Sequence, residues 1–421
     1  MSGSSRTLIS IAKKLSEQTQ AIDAYWQSID NKQPSFSQDA PEPPDTAEYV
    51  SLHSELSSTL ADLQRLVDGP KRNLRRTVML GNDLAALQIA FDFDFFQLVP
   101  LDGTINLEDL ASKAGIDADR AARMIRMLAT HRVFQETEPG HFSHTAASAA
   151  FHRDEELRCA AHYMLDECFQ AASMSSACIK ASPNESDSTH SPFCSRHGVP
   201  MFTFYAQHPD YAARFAKAMA GGAKLSQQVR SVQDDFSWGK LRGSVVDVGG
   251  GNGHVSVDLA KTFPDLNFIV QDGSDAMLSQ GRSQLPPAIN GRVTFMKHSF
   301  FDPQPKIADA AAYLIRQCTH NWSDRDVITI FRSLVPGLES AGPGTPLLIN
   351  DIVMPVPGSL PIVEENTLRQ MDVLMFVVLG AKQRSVAEFE ALLRSADERY
   401  EIRHVHSEGA MGLIEVQLRT G

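Results

Sequence analysis

The chain has 421 residues, 43% hydrophobic and 21% charged, which is the balance of a folded globular protein with apolar material for more than one core. Its 51 acidic side chains outnumber 39 basic ones for a net charge of −12, which excludes a broad electropositive surface for a nucleic-acid backbone. Five cysteines with no C-x-x-C pair argue against a zinc clip or disulfide framework and fit a cytoplasmic protein with no metal site. Charged residues from Arg6 to Asp23 interrupt any signal-peptide core, and the longest apolar run, 373–379, is far below the ~18 residues that span a membrane.

In chain order, residues 6–29 suit a helix, and Pro34, Pro41, Pro43 and Pro44 then mark a linker. Leu52, Leu56, Leu60, Leu63 and Leu66 recur at the helical period until Gly69-Pro70 stops them, and a second helical stretch runs over 73–91. Asn106 and Asp117 are good N-caps for two short helices, and 133–136 with 141–144 flank Glu138-Pro139-Gly140 as a hairpin. That order outlines a winged helix, whose mixed charges suit packing better than a DNA groove. A helix is expected over 156–179, a polar loop over 182–198, and another helix over 210–228.

After Gly243 the pattern changes to short apolar runs at 245–248, 266–270, 293–296, 310–315 and 347–350, separated by helical stretches near 254–263, 275–282 and 324–335. Strands alternating with helices predict an α/β fold with a doubly wound, Rossmann-like parallel sheet, to which 400–405 and 412–418 add a hairpin at one edge. The domains expected are an appendage and linker (1–47), a helical winged-helix region (48–240) and the sheet domain (241–421).

Val245-Val246-Asp247-Val248-Gly249-Gly250-Gly251-Asn252-Gly253-His254 places Gly249, Gly251 and Gly253 at the first strand-to-helix turn, where the backbone can approach a ligand. A dinucleotide fingerprint would need a further glycine at His254 or Ser256, so NAD is disfavoured. Asp272 ends the second strand about 20 residues on, where a carboxylate accepts ribose hydroxyls. A nucleoside without phosphates fits these parts; the bland alternative is a tight turn alone.

With Phe263-Pro264-Asp265, Asp272, Phe300-Phe301 and His320-Asn321-Trp322-Ser323-Asp324, this loop resembles the S-adenosylmethionine-dependent O-methyltransferases of the caffeate and fungal polyketide type. Phe204-Tyr205, His208-Pro209, Arg214-Phe215 and Met219 follow the same family's pattern upstream, so the resemblance covers most of the chain. It implies S-adenosylmethionine as cofactor, a homodimer formed through the N-terminal half, and an aromatic or polyketide-like small-molecule acceptor. By the same resemblance His320 is the general base, chemistry that suits a phenol of pKa ~10. Asp351 orients it, or merely caps a turn. Arg316 lies near the adenine, or forms a strand-end salt bridge, and Ser299 and Phe300 occupy cofactor positions. Tyr211, Phe215 and Met219, four apart, line the pocket or simply form a core stripe. Trp322, Met375 and His162 are further substrate candidates.

Four positions depart from the family pattern. Ser299 stands for an Asp beside the adenosine, Gln383 for a Glu that helps hold the histidine, Asn321 for an Asp, and Ala223 for a small polar residue. A rival reading is therefore a pericyclase on the same scaffold, using His320, Arg316 or His162 to polarise a carbonyl. A noncatalytic dimeric binding protein is a third class.

Overall fold

The structure, a computed structural model, describes residues 7–225, 232–234, 236–406 and 411–419. It divides into two compact units that interleave along the chain. The first holds the described residues of Met1–Met174, Met201–Gln227 and Leu360–Glu365; the second holds those of Ser175–Pro200, Gln228–Ser359 and Asn366–Gly421.

In the first unit, the helix Leu8–Ser28 starts at Thr7, whose side chain caps the amide of Ser10. It packs Tyr25 and the fully buried Trp26 against Tyr49. The helix Ala47–Asp92 breaks at Gly69 (φ +66°), where Gly-Pro predicts a stop. Leu60 and Leu66 of its leucine stripe remain 46% and 53% exposed, so this chain's own core does not absorb the whole stripe. Asn106 and Asp117 cap the helices Leu107–Ala114 and Ala118–Thr130 as expected. Strands β1 (Ile105–Asn106), β2 (Phe134–Glu138) and β3 (His141–His144) form a sheet in the order β1-β3-β2. These elements enclose Phe95, Phe96, Ile125, Phe134 and Phe142.

The single helix expected over 156–179 is instead four pieces: Glu155–Tyr163, a π-helical turn Met164–Phe169, Gln170–Ala172, and Ser175–Ala181. Within the expected polar loop lies a short helix, Pro192–His197, capped by Ser191. The helix expected over 210–228 is observed as Pro209–Leu225, and 226–228 lie outside the described residues. It approaches Glu155–Tyr163 so closely that a Cβ at Gly221 would lie 2.0 Å from the carbonyl oxygen of Glu156.

The second unit is built on a seven-stranded sheet. Its strands are β4 (Gly243–Val248), β5 (Leu266–Asp272), β6 (Val293–Lys297), β7 (Ala310–Arg316), β8 (Leu347–Asp351), β9 (Tyr400–His406) and β10 (Gly412–Leu418), in the order β6-β5-β4-β7-β8-β10-β9. The first five are parallel, and β10 pairs antiparallel with both β8 and β9. Successive residues of a strand feed opposite faces. Val246, Val248 and Ile315 join one core with Phe331 and Phe389, while Val245, Val270 and Leu314 join another with Leu259 and Leu278. Both faces are thus covered by helices, which is why these strands read as unbroken apolar runs. The helix expected to end near 335 continues through Pro336 as Asp324–Ala341. The apolar stretch at 373–378 is the end of a longer helix, Ile362–Leu379, followed by Val386–Ala396. Among the described residues no helix is long and apolar enough to cross a membrane.

Candidate active site

The turn after β4 is pinned to the end of β5. The amides of Gly249 and Gly250 donate to the Gln271 carbonyl at 2.9 and 3.0 Å, and the amide of Gly251 donates to Asp272 Oδ2 at 3.0 Å. Gly249 and Gly251 have φ of +73° and +59°, a region that penalises any side chain. A Cβ at Gly249 would lie 3.3 Å from the Phe300 ring and 3.5 Å from Cys318 Sγ, and one at Gly251 would lie 3.2 Å from Met277 Cε. Beneath the turn, burial pushes the carboxyl of Asp247 up to about 6, against a hydrogen bond from Ser256. Sequence reasoning passed over Asp247, although it stands two residues before the first glycine.

The cradle fits S-adenosylmethionine. Added Cβ atoms would crowd it, and Asp272, which accepts only the amides of Gly251 and Ser274 among the described residues, keeps lone pairs for ribose hydroxyls. Ser299, in the family's Asp position, accepts the amide of Phe301 at 3.3 Å and so shapes the local turn. Arg316 ends β7; its Nη1 donates to Gln317 at 2.8 Å, while its buried Nε has no partner among the described residues. Burial lowers this guanidinium below its usual value, against the opposing charges of Asp247 and Asp351.

Beyond β7 the chain makes a 3₁₀ turn, Thr319–Asn321, next to the end of β8. Asp351, 1% exposed, meets this turn from below. Its Oδ1 lies 2.5 Å from His320 Nδ1, and its Oδ2 accepts the Thr319 hydroxyl at 2.6 Å and the His320 amide at 3.3 Å. The Ile352 amide adds a contact at 3.0 Å. Burial pushes the Asp351 carboxyl up, but the charge and hydrogen bond of His320, with Thr319 and Ile352, outweigh it and hold it below the usual aspartate range. With Nδ1 engaged, Nε2 is the imidazole nitrogen left for a reacting group.

The other residues singled out from sequence fall into two groups. In the second unit, Trp322 packs edge-on against Phe300 and Phe301, with ring centroids 5.6 and 4.9 Å away. Met375 is buried in the helix Ile362–Leu379. Gln383 is 4% exposed; its backbone amide donates to Asp372, but among the described residues neither end of its side-chain amide has a partner. In the first unit, Phe215 stacks on Tyr205, Tyr211 lies under the Arg214 guanidinium, and Met219 is 48% exposed. His162 Nε2 lies 2.8 Å from Asp92, and Arg214 reaches the same imidazole. The side chain of Ala223 lies outside the described residues.

Comparison with known proteins agrees with this geometry. A family profile for the O-methyltransferase domain matches residues 177–397, and one for the O-methyltransferase dimerisation domain matches 82–154. The chain is 62% identical to the O-methyltransferase sol2 of Alternaria solani over 99% of this chain and 96% of that protein. Among solved structures, that of OxaC superposes with a TM-score of 0.74 at 18% identity, covering 97% of this chain and all of that one. A structure described as a pericyclic reaction enzyme gives 0.72 at 18% identity over the same share of this chain and all of its own. At that identity the two structures share the fold alone. The profiles and the relative at 62% identity go further: this chain belongs to the O-methyltransferase family, whose cofactor is S-adenosylmethionine.

Proposed function

We propose that the chain methylates a hydroxyl of an aromatic or polyketide-like small molecule in secondary metabolism, with His320 as general base, acting as a homodimer through its N-terminal half. The observation that carries this reading is the His320–Asp351 pair, held at 2.5 Å beside the glycine turn's own sheet edge. When bound, S-adenosylmethionine would supply an electrophilic methyl group on a sulfonium, with the neutral thioether as its leaving group. The chain's work is to hold the partners in line and take one proton. His320 Nε2 accepts the hydroxyl proton, and Asp351 fixes the tautomer through Nδ1 and balances the imidazolium. Gly249, Gly251, Gly253 and Asp272 hold the nucleoside, with Phe300, Ser299 and Arg316 bordering it. Within the second unit Met375 and Trp322 bound the acceptor, and the Gln383 amide is left to meet a polar group of it.

One feature favours the rival pericyclic reading. The Gln383 amide and the Arg316 Nε, neither with a partner among the described residues, are neutral or fixed donors suited to polarising a carbonyl. The two readings part on mass balance. Incubation with S-adenosylmethionine and a panel of phenolic and enolic acceptors is expected to release S-adenosylhomocysteine one for one with a product heavier by a methyl substituent. A product of unchanged mass, formed without S-adenosylhomocysteine, would replace methyl transfer with rearrangement.

A further inference from the structure

The Gln383 side-chain amide makes no hydrogen bond among the described residues, whereas every N–H of its neighbour Arg384 finds an acceptor. Its side chain is 0% exposed. The backbone is fixed first: the Met354 amide donates to the Arg384 carbonyl at 2.9 Å, and Val353 and Arg384 form a parallel bridge. This lays residue 384 beside the chain leaving Asp351. From there the guanidinium reaches back to the turn that carries the base. Nη1 donates to the Thr319 carbonyl at 2.9 Å and to that of Lys382 at 3.3 Å. Nη2 donates to the Trp322 carbonyl at 2.8 Å and lies 2.8 Å from Asp324 Oδ1, while Nε donates to the same oxygen at 2.9 Å. These contacts match the five N–H donors of a guanidinium. Asp324, the first residue of the helix Asp324–Ala341, is held in turn by Lys382 at 3.1 Å, and Lys382 by Glu388 at 2.9 Å.

We propose that Arg384 is a positioning residue for the reaction: it clamps the carbonyls of Thr319 and Trp322, on either side of His320, and so sets where the imidazole stands over Asp351. The proposal rests on the reading of His320 as the base. The planar, forked guanidinium reaches both carbonyls and Asp324 at once, a geometry that the point charge of an ammonium group does not reproduce. The clamp complements Asp351, which holds the turn by the Thr319 hydroxyl and the His320 amide. With both intact, the base has little freedom to drift, and drift of ~1 Å in a reacting group costs up to ~10²-fold in rate.

The test compares wild type with Arg384→Lys, which keeps the buried charge and its Asp324 partner but loses the fork. Three quantities are read: the downfield proton resonance of the His320 Nδ1–Asp351 hydrogen bond, the split between kcat and KM, and calorimetric affinity for S-adenosylhomocysteine. The expected result is loss or broadening of that resonance and a ~10- to 10²-fold fall in kcat, with KM and cofactor affinity within about twofold. Retention of the resonance at wild-type kcat would overturn the proposal. So would parallel loss of kcat, cofactor affinity and cooperative unfolding, the signature of a purely structural residue. Should R384K fail to fold, Asp324→Asn, at a side chain 46% exposed, loosens the clamp from its outer end and is expected to move the same resonance and kcat in the same direction by less. An unmoved resonance and kcat in D324N would then count against it. Failure of the functional reading is separable: if wild type shows the resonance but methylates no acceptor, the clamp is judged by the proton signal alone.

Discussion

Glu167 in the first unit and Asp351 in the second are both carboxylates buried within polar networks, and the two respond in opposite ways. Glu167, 0% exposed, accepts the Tyr205 hydroxyl, and its Oε1 accepts Nη2 and Nε of Arg214 at 2.8 and 3.2 Å. Burial still dominates, and the carboxyl is pushed above the usual glutamate range, with Asp166 beside it adding to the rise. Asp351 is as deeply buried, yet its carboxyl is held low. The difference lies in the donors. Asp351 collects the backbone amides of His320 and Ile352, the Thr319 hydroxyl and the His320 imidazole. The charge and hydrogen bond of His320 weigh most, with the Thr319 hydroxyl and the Ile352 amide adding to them, whereas Arg214 must be shared between Glu167 and Asp166, whose own charge raises Glu167 further. Burial alone therefore does not set the sign of a shift; the charges and donors facing the carboxyl do.

The largest expected effect comes from removing the imidazole on the low side of this contrast. His320→Ala should lower kcat by at least ~10² while leaving S-adenosylhomocysteine affinity unchanged, since the glycine turn is untouched. A wild-type rate in a stopped assay of methyl transfer would remove His320 as base. Next in size are two opposite pH windows. The contribution of Glu167 to stability is complete below 4.5, the ordinary glutamate value, and is lost as pH rises through its higher folded value. That of Asp351 is present above 3.8, the ordinary aspartate value, and is lost as pH falls through its lower folded value. In Tm measured from pH 3 to 8, Glu167→Gln should flatten the curve above 4.5 and Asp351→Asn should flatten it below 3.8. Flattening on the same side in both variants would erase the comparison. Smallest is Gly251→Ala, where a side chain at φ +59° meets Met277 at 3.2 Å. Cofactor affinity should weaken by about tenfold, from ~1–2 kcal/mol of backbone strain, with no change in the His320 proton signal.

Much of the second unit was legible because its chemistry is local in sequence. Apolar runs ended by Asp272 and Asp351 give strand, strand end and carboxylate together, and the glycine turn declares itself by composition. Arg384 was illegible because its partners are backbone carbonyls 65 and 62 residues away, which no side-chain pattern encodes. The helix Ile362–Leu379 was seen only over 373–378 because its earlier half carries Glu364, Glu365, Asn366, Arg369 and Asp372. The helix expected near 324–335 runs on through Pro336 to Ala341, its buried face packed into the core of Phe331, Leu334 and Leu338. The pieces within 155–181 read as one helix because a single wide turn barely disturbs the spacing of apolar residues.

That wide turn, Met164–Phe169, carries both Asp166 and Glu167 toward Arg214. A π turn holds one residue more than the α-helix it interrupts. Deleting a single residue there would let the turn close to the ordinary period with the flanking helices kept in phase, so the change is confined to the turn itself. Asp166 and Glu167 would no longer both be presented to Arg214, and Tyr205 would lose its acceptor. A deletion scan across 164–169 is expected to leave the flanking helices in place while the ion network fails.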